Sequence, residues 1–145
     1  MMDRRAFMGT VAGGLLIAPL AVLAQTPTKV WRIGYLRRTS REPADIAALR
    51  QGLRELGYVE GQNLVIDERY ADGDAARLPD LARELMQLKV EVLVVDGGTT
   101  VRAAQNVVGA TPIVFTLVGG AATYVHSLAR PGGNMTGLTT FRKRK

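Results

Sequence analysis

Gly97, Gly98, Thr99 and Thr100 follow an apolar run, VEVLVVD, and open a segment, TTVRAAQNVVG, with helical spacing. Glycines and hydroxyl residues at a helix start turn unpaired backbone N–H groups and short donors towards one point, which suits a carboxylate or a phosphate. The same glycines equally suit a bare strand-to-helix turn, and their spacing is neither a Walker loop nor G-x-G-x-x-G. On the residues alone both readings stand. Asp96 closes the preceding run, where α/β domains often place a functional acid, but the first apolar run ends in YLRR, so no acidic cluster forms for receiver-type chemistry. Arg37 and Arg38, just after that first run, could grip an acidic ligand bidentately. Solvated loop charges are the preferred reading for them.

Other chemistries lack their parts. His126 is the sole histidine and there is no cysteine, so a zinc site has no ligand set. Ser40 and Ser127 have no neighbouring base, and no nucleophile-elbow pattern occurs. With no acid–base set and no nucleotide fingerprint, the expectation is a protein that is not an enzyme, with no cofactor and no metal. The formal charge of +6 invites a nucleic-acid reading, but the N-terminal segment carries +1 and the tail Arg142 to Lys145 carries +4, which leaves +1 for everything between. The tail has no interleaved aromatic beyond Phe141, and no nucleic-acid partner is expected.

Alternating strand-like and amphipathic stretches must position these residues. VWRIGYL (30–36), NLVIDERY (63–70), VEVLVVD (90–96), TPIVFTLV (111–118) and NMTGLTT (134–140) read as strands. PADIAALRQGLRELG carries Ile46, Leu49, Leu53 and Leu56 at helical spacing, with Gly57 as a C-terminal cap. DAARLPDLARELMQLK puts Leu78, Leu81, Leu85 and Leu88 on one face, with Pro79 tolerable only near the first turn. TTVRAAQNVVG and ATYVHSLAR supply a third and a fourth helix. The spacing is that of βαβ units, which predicts an α/β fold with a doubly wound, mainly parallel sheet and ligands beyond the carboxyl ends of its strands.

The first residues have a different destination. After Asp3, Arg4 and Arg5 comes an apolar run from Val11 to Ala24, interrupted by Gly13, Gly14 and Pro19. That is too short for a membrane span, which needs about twenty residues, and small or slim residues precede Gln25. An export signal over residues 1–24, cleaved after Ala24, fits. Arg4, Arg5 and Phe7 ahead of a glycine-containing apolar core give it a twin-arginine pattern, with an ordinary Sec signal as the plainer reading. Without cysteine there is no lipid-anchor site and no disulfide, so the expected location is the periplasm, in soluble form.

The blocks GYVEGQNL, PIVF and SLARPGGN, in that order within a stretch from Val30 to Thr140, closely resemble bacterial ABC-transporter substrate-binding proteins of the group that includes tryptophan and tyrosine receptors. The resemblance implies a type I periplasmic binding fold, in which two α/β lobes close on a small solute such as an amino acid and deliver it to an ABC permease in the inner membrane. It implies first-lobe contacts from Leu36, Arg37, Arg38 and Thr39, from Gly98, Thr99 and Thr100, and from Val118, Gly119 and Gly120. Two departures stand out. LVGGAATYVHSLARPGGN lacks the Asp-Pro that the family usually has after the fourth strand, and residues 25–140 account for the first lobe only. Residues 141–145 then read as the scar of a truncated or frameshifted frame, and the chain as an incomplete receptor. From other classes, the alternatives are a small flavodoxin-like or Rossmann-like nucleotide-binding enzyme domain and a single-lobe regulatory or dimerising module.

Overall fold

Five runs of β-branched and aliphatic residues form the strands of one sheet. The structure, a computed structural model, describes residues 29–118 and 133–139. Along the chain come β1 (Trp31–Arg37), α1 (Pro43–Glu55), β2 (Leu64–Tyr70), a 3-10 turn (Ala75–Arg77), α2 (Leu78–Gln87), β3 (Val92–Asp96), α3 (Gly98–Gln105), β4 (Ile113–Val118) and β5 (Met135–Thr139). The expected elements are present to within a few residues at their ends. The expected fourth helix, and with it His126, Ser127, Gly119 and Gly120, lies outside the described residues, as do the leader and the basic tail.

The strand order is β2-β1-β3-β4-β5, and every pairing is parallel. Helices cover both faces, so the sheet is doubly wound as expected. On one face α1 buries Ile46 against Tyr35 of β1 and Val94 of β3. On the other, α2 and α3 bring Leu78, Leu81, Leu85 and Val101 down on Leu36, Leu93, Val95, Ile113 and Phe115. Alternation along each strand sends neighbouring side chains to opposite faces. Tyr35 therefore belongs to the first core and Leu36 to the second.

Local chemistry sets the helix ends. α1 closes in a Schellman motif: Tyr58 N–H donates to the Leu53 carbonyl at 2.9 Å and Gly57 N–H to the Arg54 carbonyl at 3.0 Å. Gly57 takes φ +91°, a left-handed conformation that costs glycine little. The expected second helix is split. Asp74 accepts a bond from Ala76 N–H at 3.0 Å and starts a 3-10 turn, and α2 proper begins at Leu78 with Pro79 in its first turn, where its missing N–H forfeits no bond. α3 stops at Gln105, shorter than the periodicity predicts. Beyond it Val107 and Val108 N–H groups both turn back to the Ala104 carbonyl, at 3.0 and 2.9 Å.

Candidate functional site

The connections from β1 and β3 leave the sheet on opposite faces, α1 on one and α3 on the other, which opens a crevice at the carboxyl ends of these adjacent strands. Gly97 stands at the crest with φ +83° and ψ 151°, a conformation open in practice only to glycine. It is the cap residue of α3 and has no side chain to bond the first helical turn. Its own N–H donates to the Thr116 carbonyl at 3.1 Å and its carbonyl accepts from Val101 N–H at 3.1 Å, which pins the turn between β4 and the helix. The first-turn amides of Gly98, Thr99 and Thr100 are the donors that any helix start leaves without intrahelical acceptors. With the dipole of α3 behind them they form an anion-seeking terminus.

The predicted site residues divide around this crest. Gly98 and Thr99 lie on it, with Thr99 exposed. Arg38 and Thr39 are exposed beyond the end of β1. The backbone of Val118 ends β4, paired with Thr139. Two residues turn inward instead. Leu36 is 0% exposed and packed in the α2–α3 core, so its side chain cannot reach a ligand at the crest. Thr100 is likewise 0% exposed, and its Oγ1 is buried without a hydrogen-bond partner among the described residues. Only the amide of Thr100 is left to serve the terminus. An orphaned hydroxyl carries an uncompensated desolvation cost, so Thr100→Val is expected to raise the unfolding free energy by about 1 kcal/mol. A urea midpoint unchanged or lowered by this nearly isosteric exchange would show that the hydroxyl has a partner after all.

Arg37 is not the solvated loop charge that the sequence favours. Its side chain is 17% exposed and lies between two carboxylates, bonded through Nη1 to Asp45 in the first turn of α1 and 3.2 Å through Nε from Asp96 Oδ2. The Nε contact is an ion pair by distance without hydrogen-bond alignment, since Nε has no bonded acceptor. Burial works against the charge on Arg37, but the bond to Asp45 and the charges of Asp45 and Asp96 outweigh it and raise its pKa. Thr116 Oγ1 donates to Asp96 Oδ1 at 3.2 Å. The bridge Asp45–Arg37–Asp96–Thr116 thus ties α1, β1, β3 and β4 together under the crest. Arg37 is spent on positioning, and Asp96 is paired with it and with Thr116 rather than presented as a free acid. Sequence reasoning passed over Asp45 and Thr116, because only the register of β1, β3 and β4 brings them to this point.

A second polar cluster fixes α1 from its other side. Glu68 of β2 accepts from Arg41 Nε at 2.9 Å, Arg50 Nη2 at 2.5 Å and Tyr70 Oη at 2.7 Å, while Arg50 also holds Glu60. Burial alone would raise the Glu68 carboxyl, but its bonds to Arg41, Tyr70 and Arg50 bring it down to about 2. The hydroxyl of Tyr70 is pushed up, first by burial and then by its bond to Glu68.

Known proteins share this fold. The family model for ABC transporter substrate binding protein matches residues 43–144. A tyrosine-binding protein of Clostridioides difficile (strain R20291) is 29% identical over 93 residues, which are 63% of this chain and 27% of that protein. Among solved structures, a conserved domain protein from Vibrio cholerae is 32% identical with a TM-score of 0.68, over 77% of this chain and 39% of its own. An ABC domain in complex with L-Trp from Streptococcus pneumonia superposes with a TM-score of 0.69 at 23% identity, over 77% and 39% of the two chains. A ligand-free, open substrate binding protein with adhesive properties from Clostridium difficile gives 0.71 at 24% identity, over 78% and 40%. The chain therefore spans about a quarter of that curated relative and two-fifths of the solved chains. With the parallel sheet, the switch-point crevice and a family match over most of its length, this chain belongs to the ABC transporter substrate-binding protein family, a family of binding proteins and not of enzymes.

Proposed function

We propose that this chain is the first lobe of a periplasmic solute receptor for an ABC importer, that its crest takes the carboxylate of an amino acid, and that by itself it is an incomplete binding unit. The supporting observation is the α3 terminus: Gly97 in a glycine-only conformation, no capping side chain, and the first-turn amides at the switch point of the sheet. An aromatic amino acid is the favoured ligand class, since one relative is named as tyrosine-binding and one solved neighbour holds L-Trp. Gly98, Thr99 and Thr100 supply the anion contacts through their backbones, with Arg38 and Thr39 beside them at the end of β1 and Val118 at the end of β4; Gly119 and Gly120, which lie outside the described residues, remain contacts that the family resemblance implies. In this reading residues 1–24 direct export through the Tat or Sec machinery, and an ABC permease is the partner of the complete receptor.

Receptors that enclose a solute between two walls gain affinity by hinge closure and exclusion of water. One wall offers part of the contacts and no closure. Titration of the full chain with L-tyrosine or L-tryptophan, followed by amide NMR, is expected to shift Gly98, Thr99 and Thr100 saturably with a Kd of roughly 1 mM or weaker. Micromolar binding would refute the incomplete-unit reading. Shifts absent from these amides at the solubility limit of both ligands would refute the carboxylate site.

A further inference from the structure

Glycine at position 97 permits the turn from β3 into α3 but does not choose it. Its φ of +83° is one that a side chain would strain, and the lack of a side chain leaves many other conformations within reach. The direction in which the first amides of α3 point must therefore be imposed by what holds the residues around Gly97. Sheet register places the candidates. Arg37, Asp96 and Thr116 are paired in line across β1, β3 and β4. Thr116 meets the crest twice, since its carbonyl accepts from Gly97 N–H at 3.1 Å and its hydroxyl donates to Asp96 Oδ1 at 3.2 Å. Arg37 Nε lies 3.2 Å from the other oxygen, Oδ2, without hydrogen-bond alignment. Among the described residues, the directional hold on the Asp96 carboxylate thus comes from the Thr116 hydroxyl.

β4 is irregular at the same point. Phe115 pairs with Gly137 and Val118 with Thr139, so three steps along β4 meet two along β5, while the β3–β4 ladder runs unbroken to Asp96 and Thr116. Gly137 permits the close approach that precedes the shift, because a Cβ there would overlap the Phe115 carbonyl oxygen. A bulge re-aims the residues it contains. Thr116 is left with a register partner in β3 and none in β5.

We propose that Thr116 is the positioning residue of the crest: its hydroxyl and carbonyl together fix the Asp96–Gly97 peptide, and with it the aim of the Gly98, Thr99 and Thr100 amides. Its effect on a ligand rests on the carboxylate reading of those amides, whereas its effect on the turn does not. The hydroxyl has a second consequence. Aspartate side chains readily bond backbone N–H groups two residues ahead, and the Asp96 carboxylate, once untethered, competes with a ligand for the amides that follow it. Tied to Thr116 on one side and Arg37 on the other, it is kept off them.

Amide NMR of the full chain and of its Thr116→Val and Thr116→Ser variants, first free and then with L-tryptophan, tests the assignment. Valine keeps the shape and the carbonyl and removes only the hydroxyl, and serine restores it. Without ligand, Thr116→Val is expected to displace the amide signals of Gly97 to Thr100 and to speed hydrogen exchange at Gly97 about fivefold. Thr116→Ser should return both to wild type, and the amides of α2 should stay in place throughout. L-tryptophan is expected to bind Thr116→Val about fivefold more weakly than wild type, and Thr116→Ser as wild type. Unmoved crest amides in Thr116→Val would overturn the proposal, as would displacements spread through α2 or uncorrected by serine, which mark general loosening. Crest amides displaced with affinity unchanged would remove its bearing on the ligand. If wild type itself gives no saturable shift with L-tryptophan, it is the carboxylate reading that fails, and the ligand-free amides still decide the role of Thr116.

Discussion

Leu36→Ala is expected to lower the unfolding free energy by about 2–5 kcal/mol, and the melting temperature by roughly 10 °C or more. Leu36 has no exposed surface and packs in the cluster formed by α2, α3 and the inner face of β3 and β4. Truncating it removes buried methyl groups and leaves a void that strands on either side cannot close, because β1 is paired to β2 along its whole length and to β3 from Ile33 to Arg37. A domain with a total stability of about 5–15 kcal/mol loses a large share of it. The neighbouring Arg38→Ala, at an exposed position, should stay within about 0.5 kcal/mol of wild type. Equilibrium urea unfolding followed by Trp31 emission measures both. A Leu36→Ala protein as stable as wild type would place this side chain on the crest with the other first-lobe residues instead of in the core. The pair of variants thus separates two roles that positions 36 and 38, at the end of β1 and just beyond it, would otherwise share.

Leu36 also shows what was legible in the sequence and what was not. The apolar runs, the helical spacing of Leu78, Leu81 and Leu85 and the glycine at position 57 report local structure, and local structure is what period and turn chemistry encode. A parallel sheet order was reachable from βαβ spacing. Which face a side chain takes at the end of β1 depends on the pleat, and a shift of one residue exchanges core for crest. Leu36 and Arg37 sit on either side of that choice. The bridge from Arg37 to Asp45 and Asp96 joins residues 8 and 59 positions apart, and no linear pattern announces it. Gly97 to Thr100 was visible as a strand-to-helix turn because its elements are contiguous. That Thr100 aims its hydroxyl inward was not visible, since it follows from how α3 rolls onto β3. Glu68 had a faint signal: in β2 it alternates with Ile66 and Tyr70, so it shares the inward register with them, a place where a carboxylate needs partners.

Those partners make acid the condition under which α1 loses its anchorage. Glu68 has an ordinary carboxyl value of 4.5 and a value of about 2 in the fold, where burial is opposed and exceeded by bonds from Arg41, Tyr70 and Arg50. Its side chain is 16% exposed, so solvent screens these bonds little. The gap, at about 1.4 kcal/mol per pH unit, corresponds to about 3 kcal/mol of stability. Above pH 4.5 the carboxylate is ionised in both the folded and unfolded chain and the contribution is complete. As the pH falls from 4.5 to 2 the unfolded chain takes up its proton first, and the contribution drains away. Below 2 both states are protonated and nothing is left. Glu68→Gln removes the titration while keeping an acceptor for the Tyr70 hydroxyl. At pH 7 it is expected to be less stable than wild type by about 3 kcal/mol. The difference should shrink through the window from 4.5 to 2, although other carboxylates, Glu91 among them with its value lowered by Lys29, destabilise both proteins in acid. Urea titrations at pH 7, 4 and 2.5 compare the two. Curves that run parallel over this range would mean that Glu68 is not the group linking protonation to the hold of β2 on α1. Convergence would tie the position of α1, and of Asp45 in its first turn bonded to Arg37, to one carboxylate on the edge strand.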